Sequence, residues 1–149
     1  MIYPPPTEPI LVVDDEPDVR DGLTLLLRTR GYAVTSAGDG QEALDELRGP
    51  ARPWLILLDL MMPVMDGFEF RVRQLQDPEL AGLPVVVFSA GGDLDRKVAS
   101  LGAVTWLTKP VEATVLLEVI DGLVASRAGR SGCSATDDTP VGGGDRVPC

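Results

Sequence analysis

Three short, unbroken runs of branched apolar residues most restrict what this chain can fold into: Ile10-Leu11-Val12-Val13, Leu55-Ile56-Leu57-Leu58 and Val85-Val86-Val87-Phe88. None of them alternates with polar residues, as a strand with one wet face would. Continuous apolar strands of this length belong to parallel sheets covered by helices on both faces. Residues 32–36 and 104–107 are weaker strand candidates.

Helical patterns fall between the strands. Pro17 suits the first turn of a helix with Val19, Leu23, Leu26 and Leu27 on its apolar side and Gly31 as its stop. Asp39 with Glu42 reads as a capping box ahead of Ala43, Leu44 and Leu47. Asp66 with Glu69 repeats the device, ahead of Phe68, Val72 and Leu75 at helical spacing. Residues 93–101 are a short helix candidate. Residues 112–126 are the clearest helix, with Leu116, Val119, Ile120, Leu123 and Val124 in one stripe. Strand followed by helix, five times over, predicts an α/β, doubly wound domain with right-handed crossovers. Residues 1–8 read as a flexible, proline-rich lead, 9–126 as the domain, and 127–149 as a disordered Gly/Ser/Asp/Thr-rich tail.

Composition narrows the function classes. The net charge of −10 and the lack of a Lys/Arg stripe argue against direct nucleic-acid binding, which rests on neutralising phosphates. The chain has no histidine, which excludes Ser-His-Asp and Cys-His nucleophiles, a phosphohistidine carrier and His-ligated zinc. Cys133 and Cys149 both fall in the tail and form neither a metal knuckle nor a disulfide framework. No apolar run approaches the ~18 residues needed to span a bilayer. The Met1-Ile2-Tyr3-Pro4-Pro5-Pro6 start is not a signal peptide, so a cytoplasmic location is expected.

Ligand sites in doubly wound folds sit at the carboxyl ends of the strands. The first run ends in Asp14-Asp15-Glu16, the third strand in Asp59 and the fourth in Ser89-Ala90; Lys109-Pro110 follows the fifth. Each segment alone has an ordinary explanation as a helix cap, a solvated turn or a loop. Together they place several carboxylates, one hydroxyl and one ammonium on a single edge. Like charges gathered this way call for a cation. An oxygen-rich, nitrogen-poor set suits Mg²⁺, which takes one or two carboxylates and keeps several waters. One carboxylate is then left able to act as a nucleophile toward phosphorus.

These segments resemble the response-regulator receiver family of two-component signalling, the group with the flavodoxin-like topology of the chemotaxis regulator. The resemblance is carried by residues 10–16 (ILVVDDE), 57–67 (LLDLMMPVMDG), 86–90 (VVFSA) and 102–110 (GAVTWLTKP), in order. It implies a (βα)5 sandwich with a five-stranded parallel sheet in the order 2-1-3-4-5. It also implies Asp59 as phosphoacceptor and Mg²⁺ ligand, Asp15 as a direct Mg²⁺ ligand, Asp14 as a ligand through water, and the main-chain carbonyl of Met61 as a further ligand. Lys109 would pair with the phosphoryl group across a cis bond to Pro110. Ser89 would hydrogen-bond that group and, with Trp106, form the switch pair. Gly67 would permit a tight turn into the third helix. The implied partners are a histidine kinase or phosphotransfer protein and a downstream protein target, with a homodimer possible and neither nucleic acid nor membrane contacted directly.

Two features depart from the family pattern. Trp106 stands where Tyr or Phe is usual, and its bulk makes an inward turn harder to fit. The stretch from Ser89 to Lys109 is about two residues short, and the shortfall lies within residues 90–99, next to the family's usual output surface. Three other functions fit less well. An Asp-nucleophile phosphatase wants an Asp-x-Asp pair on the first strand, and Asp59-Leu60-Met61 lacks the second acid. A nucleotide-binding module wants glycines or backbone N–H groups where Asp14-Asp15-Glu16 would repel phosphate. A degenerate receiver, serving only as an interaction module, would not keep competent residues at every key position. The expected activity is that of a phosphoacceptor switch with at most slow self-dephosphorylation, and not of an ordinary enzyme.

Overall fold

The structure, a computed structural model, describes residues 5–60, 65–89, 102, 105–108 and 111–132. The chain divides into two compact units, Pro6–Glu112, which holds the whole sheet, and a second that contains the C-terminal helix. Five strands are described: β1 (Ile10–Val13), β2 (Val34–Ala37), β3 (Leu55–Asp59), β4 (Val85–Ser89) and β5 (Thr105–Thr108). The described helices are α1 (Pro17–Thr29), α2 (Gly40–Leu47), α3 (Gly67–Gln76) and α4 (Ala113–Gly132). The 93–101 helix candidate and residues 133–149 lie outside the described residues.

All strand pairs are parallel, in the order β2-β1-β3-β4-β5, as the resemblance implies. The path steps one way from β1 to β2 and the other way from β2 through β5. Right-handed crossovers therefore put α1 on one face of the sheet and α2 and α3 on the other. Leu11, Val13, Ile56, Leu58, Val85 and Val87 meet Ala43, Leu44 and Leu47 of α2 and Phe70 of α3 in one core. Ile10, Val12, Leu55, Leu57, Val86 and Phe88 point to the opposite face and are equally buried. Burial on both faces is why these strands read as unbroken apolar runs.

The helix ends follow their sequence signals. Pro17 occupies the start of α1. Gly31, at φ 91°, closes that helix in a Schellman turn: its N–H donates to Arg28 O (3.0 Å) and that of Tyr32 to Leu27 O (3.1 Å). Asp39 Oδ1 accepts from the Glu42 N–H at 2.9 Å, and Asp66 Oδ1 from the Glu69 N–H at 2.9 Å. The return arm of the first box lands one residue early, with Glu42 Oε1 accepting from Gly38 N at 2.9 Å. On α4, Leu116, Ile120 and Val124 are buried as expected, joined by Leu117. That helix runs to Gly132 instead of stopping at Ser126. Arg127, Ala128 and Arg130 are good helix formers, and arginines near a C-terminus suit the helix dipole.

Helix α3 departs from its expected face. Val72 and Leu75 are about half exposed (50% and 45%), whereas Phe70, Arg71 and Gln74 are buried. The Arg71 guanidinium donates to Gln74 Oε1 (2.7 Å) and to the carbonyl of Gly102 (3.2 Å). Gln74 Nε2 donates to the carbonyls of Leu80 (2.8 Å) and Leu83 (3.2 Å). Burial pushes the Arg71 pKa down from its ordinary value by desolvating the charge. Polar side chains that find partners at depth have rotated the apolar pair outward.

Candidate functional site

The register brings the strand ends to one edge. Val13 pairs with Leu58, Asp59 with Phe88, and Ser89 with Thr108. Asp14 follows β1 directly, and its N–H donates to Ala37 O at 3.1 Å. Asp59 is the last residue of β3, and the next amide, Leu60 N, donates to Phe88 O at 3.2 Å. These backbone bonds fix the two carboxylates from both sides.

Asp14 is fully buried, Asp59 is 2% exposed, and each of Asp14, Asp15 and Asp59 offers a carboxylate oxygen within 4.8 Å of the others. Asp14 Oδ1 accepts from the Glu16 N–H at 2.9 Å, which orients its carboxylate. The Asp14 carbonyl accepts from Arg20 Nη1 at 2.8 Å, so α1 holds the loop that carries Asp14 and Asp15. At an effective dielectric constant of 20, two unit charges 4.8 Å apart repel by roughly 3.5 kcal/mol. A divalent cation removes that repulsion, and an all-oxygen donor set suits a hard one.

The structure brings together three of the expected site residues, Asp14, Asp15 and Asp59. Ser89 ends β4 at the same edge, and Trp106 lies in β5 paired with Val87. Met61 and Lys109 lie outside the described residues. Arg20 was missed, although its spacing from Asp14, once round the first turn of α1, could have flagged it. Two glycines lie against residues flanking the segment after Asp59. A Cβ on Gly67 would lie 2.7 Å from both Asp59 O and Leu60 Cα, and one on Gly40 would lie 2.7 Å from Met65 O. Gly67 has no positive φ; its lack of a Cβ allows the close approach, and the turn expected before it includes residues 61–64, which lie outside the described residues. Its N–H donates to Leu60 O (3.0 Å), and that of Gly40 to Met65 O (3.1 Å).

The family model of the response regulator receiver domain matches residues 10–121. The chain belongs to the response regulator receiver family. Receiver domains take a phosphoryl group and act as signalling switches, and their sheet-edge acidic pocket generally binds Mg²⁺. This receiver is 44% identical over 110 residues to the response regulator MprA of Mycolicibacterium vanbaalenii, covering 72% of this chain and 46% of that protein. It spans about half the length of most curated relatives it matches. Among solved structures it resembles the chemotaxis protein CheY4 of Vibrio cholerae (TM-score 0.72, 30% identity, 78% of this chain and 98% of that one). It also resembles the signal receiver domain of a signal transduction histidine kinase from Syntrophus aciditrophicus (TM-score 0.71, 29% identity, 91% and 99%). The flavodoxin-like fold follows from both. Among the described residues no helix is long and apolar enough to cross a membrane.

Proposed function

We propose that Asp59 is the phosphoacceptor of this receiver and that Asp14 and Asp15 hold Mg²⁺ beside it. The observation that carries the reading is the convergence of three carboxylates, two of them buried, at the carboxyl edge of the sheet. Asp59 attacks phosphorus with a carboxylate oxygen, the bond from phosphorus to the donor's leaving atom breaks, and an acyl phosphate forms. When the donor is a phosphohistidine of a partner kinase, the bond broken is P–N and the freed imidazole keeps the electron pair and takes a proton. Bound Mg²⁺ supplies charge neutralisation for the phosphoryl oxygens. Arg20 and the Glu16 amide hold the Asp14 segment in place. Lys109 would meet the added charge, Ser89 would close on a phosphoryl oxygen, and Trp106 would respond in β5. The Met61 carbonyl would complete the metal's protein ligands.

The partner kinase, a downstream protein target, a cytoplasmic setting and slow hydrolysis of the acyl phosphate belong to the same reading. Intact mass after incubation with Mg²⁺ and acetyl phosphate tests it. The native chain gains one phosphoryl group and Asp59→Asn gains none. Equal gain in both would place the acceptor elsewhere.

A further inference from the structure

Arg71 and Gln74 are buried at 5% and 0% exposure on a helix face that two exposed apolar residues, Val72 and Leu75, could have filled. Burying a guanidinium costs several kcal/mol before its partners are counted, and well-packed apolar residues often do as well or better for stability. The positions of the partners are informative. Gln74 Nε2 reaches Leu80 and Leu83, in the connection that leads into β4. Arg71 reaches Gly102, just before β5, across 31 residues of sequence. Gly102 adopts φ 66°, a left-handed conformation open to glycine, and among the described residues a Cβ there would meet the Arg71 guanidinium, at 3.7 Å. The same helix begins at the acceptor loop, where Gly67 N donates to Leu60 O. The backbone of α3 and this short polar network together join Leu60, just after Asp59, to residues ahead of β4 and β5, the strands that carry Ser89 and Trp106.

We propose that Arg71 and Gln74 are positioning residues that tie α3 to the starts of β4 and β5, so that phosphorylation of Asp59 is passed to β5 through α3 as well as at the phosphoryl site itself. The inference rests on the reading of Asp59 given above. A rigid helix, hydrogen-bonded at one end to the acceptor loop and one turn later to the β5 lead, cannot shift without moving that lead. Gln74 holds the guanidinium in place by accepting from it while anchored to two carbonyls.

The test uses the full chain carrying Trp54→Phe, so that emission reports Trp106 alone. Asp59 is loaded with Mg²⁺ and acetyl phosphate, and loading is checked by intact mass. The double variant Arg71→Leu/Gln74→Leu keeps the position buried and apolar, and Arg73→Ala, on the exposed side of the helix, is the control. The expected result is phosphoryl gain within about twofold of the parent, with the Trp106 emission change cut about threefold or more. Arg71→Lys, which keeps the charge but not the fork, is expected to fall between and serves if the double variant fails to fold. A full Trp106 change in either folded variant at equal phosphoryl gain overturns the inference and leaves the pair as packing. If the Trp54→Phe parent itself gains no phosphoryl group, the reading of Asp59 falls first and takes this inference with it.

Discussion

The same substitution, Gly to Ala, should move stability in opposite directions at two helical positions of this receiver. Gly67 is the first residue of α3, and a Cβ there would stand 2.7 Å from Asp59 O and Leu60 Cα and 2.9 Å from Leu60 Cδ2. Ordinary contact begins at 3.4 Å, so β3 and α3 must part by about 0.7 Å. Both close atoms are backbone, and no side chain can swing away to relieve them. Overpacking of this kind costs about 1–3 kcal/mol, and the 3.0 Å bond from Gly67 N to Leu60 O, worth about 1 kcal/mol, weakens as the gap opens. Against this, alanine restricts the unfolded chain and returns about 0.4–1 kcal/mol. The net expectation is a loss of about 1–3 kcal/mol, or a Tm lower by roughly 3–15 °C. Gly22, inside α1, has no described residue within 4 Å of a built Cβ. Alanine there should add about 0.5–1 kcal/mol through helix propensity.

Urea melts of Gly67→Ala and Gly22→Ala, followed by far-UV circular dichroism, measure the difference directly. The two variants should lie about 1.5–4 kcal/mol apart. Because the strain falls on the Asp59 carbonyl, Gly67→Ala should also take up phosphoryl groups more slowly, whereas Gly22→Ala should match the native rate. A loss under about 1 kcal/mol at Gly67 would mean that the acceptor loop yields cheaply, and the argument from close approach would be wrong.

Mg²⁺ should raise the Tm of the native receiver and EDTA should reverse the rise, with the shift following the logarithm of free Mg²⁺; Asp15→Asn should abolish most of it. Asp39→Ala should cost about 1 kcal/mol by leaving the Glu42 amide uncapped, as a thermal melt would register. Arg73→Ala should change stability by under about 0.5 kcal/mol, since its 2.9 Å pair with Glu69 lies in solvent.

The legible parts of this fold were those whose signal is local. Branched apolar runs announced β1, β3 and β4, because strands covered on both faces leave no room for polar alternation. Capping aspartates announced α2 and α3, because their partner amides lie three residues on. The acidic edge was legible too, since a parallel sheet delivers the end of every strand to one side and makes Asp14, Asp15 and Asp59 neighbours without knowledge of any distance.

The illegible parts depended on partners far along the chain. Periodicity counts apolar residues, and α3 offered two ways to satisfy the count. Phe68, Val72 and Leu75 make a plausible inward stripe, and nothing local says that Arg71 and Gln74 will outcompete it. They do so because acceptors wait at Leu80, Leu83 and Gly102, and a carbonyl 31 residues away leaves no mark on helical spacing. The need for glycine at 67 is likewise set by Asp59 and Leu60 folding back over the helix start, and not by its own φ. Both features fall on α3, the helix that follows the segment after Asp59. Helix α3 shares with α2 the apolar core, through Phe70 beside Ala43, Leu44 and Leu47, but adds backbone contact at its start and buried polar bonds along its inner side. Directional bonds have preferred lengths and weaken steeply as their angle closes, so they prescribe an orientation as well as a distance. The bonds from Arg71 and Gln74 therefore fix the rotation of α3 about its own axis, which one apolar residue, Phe70, would not set alone.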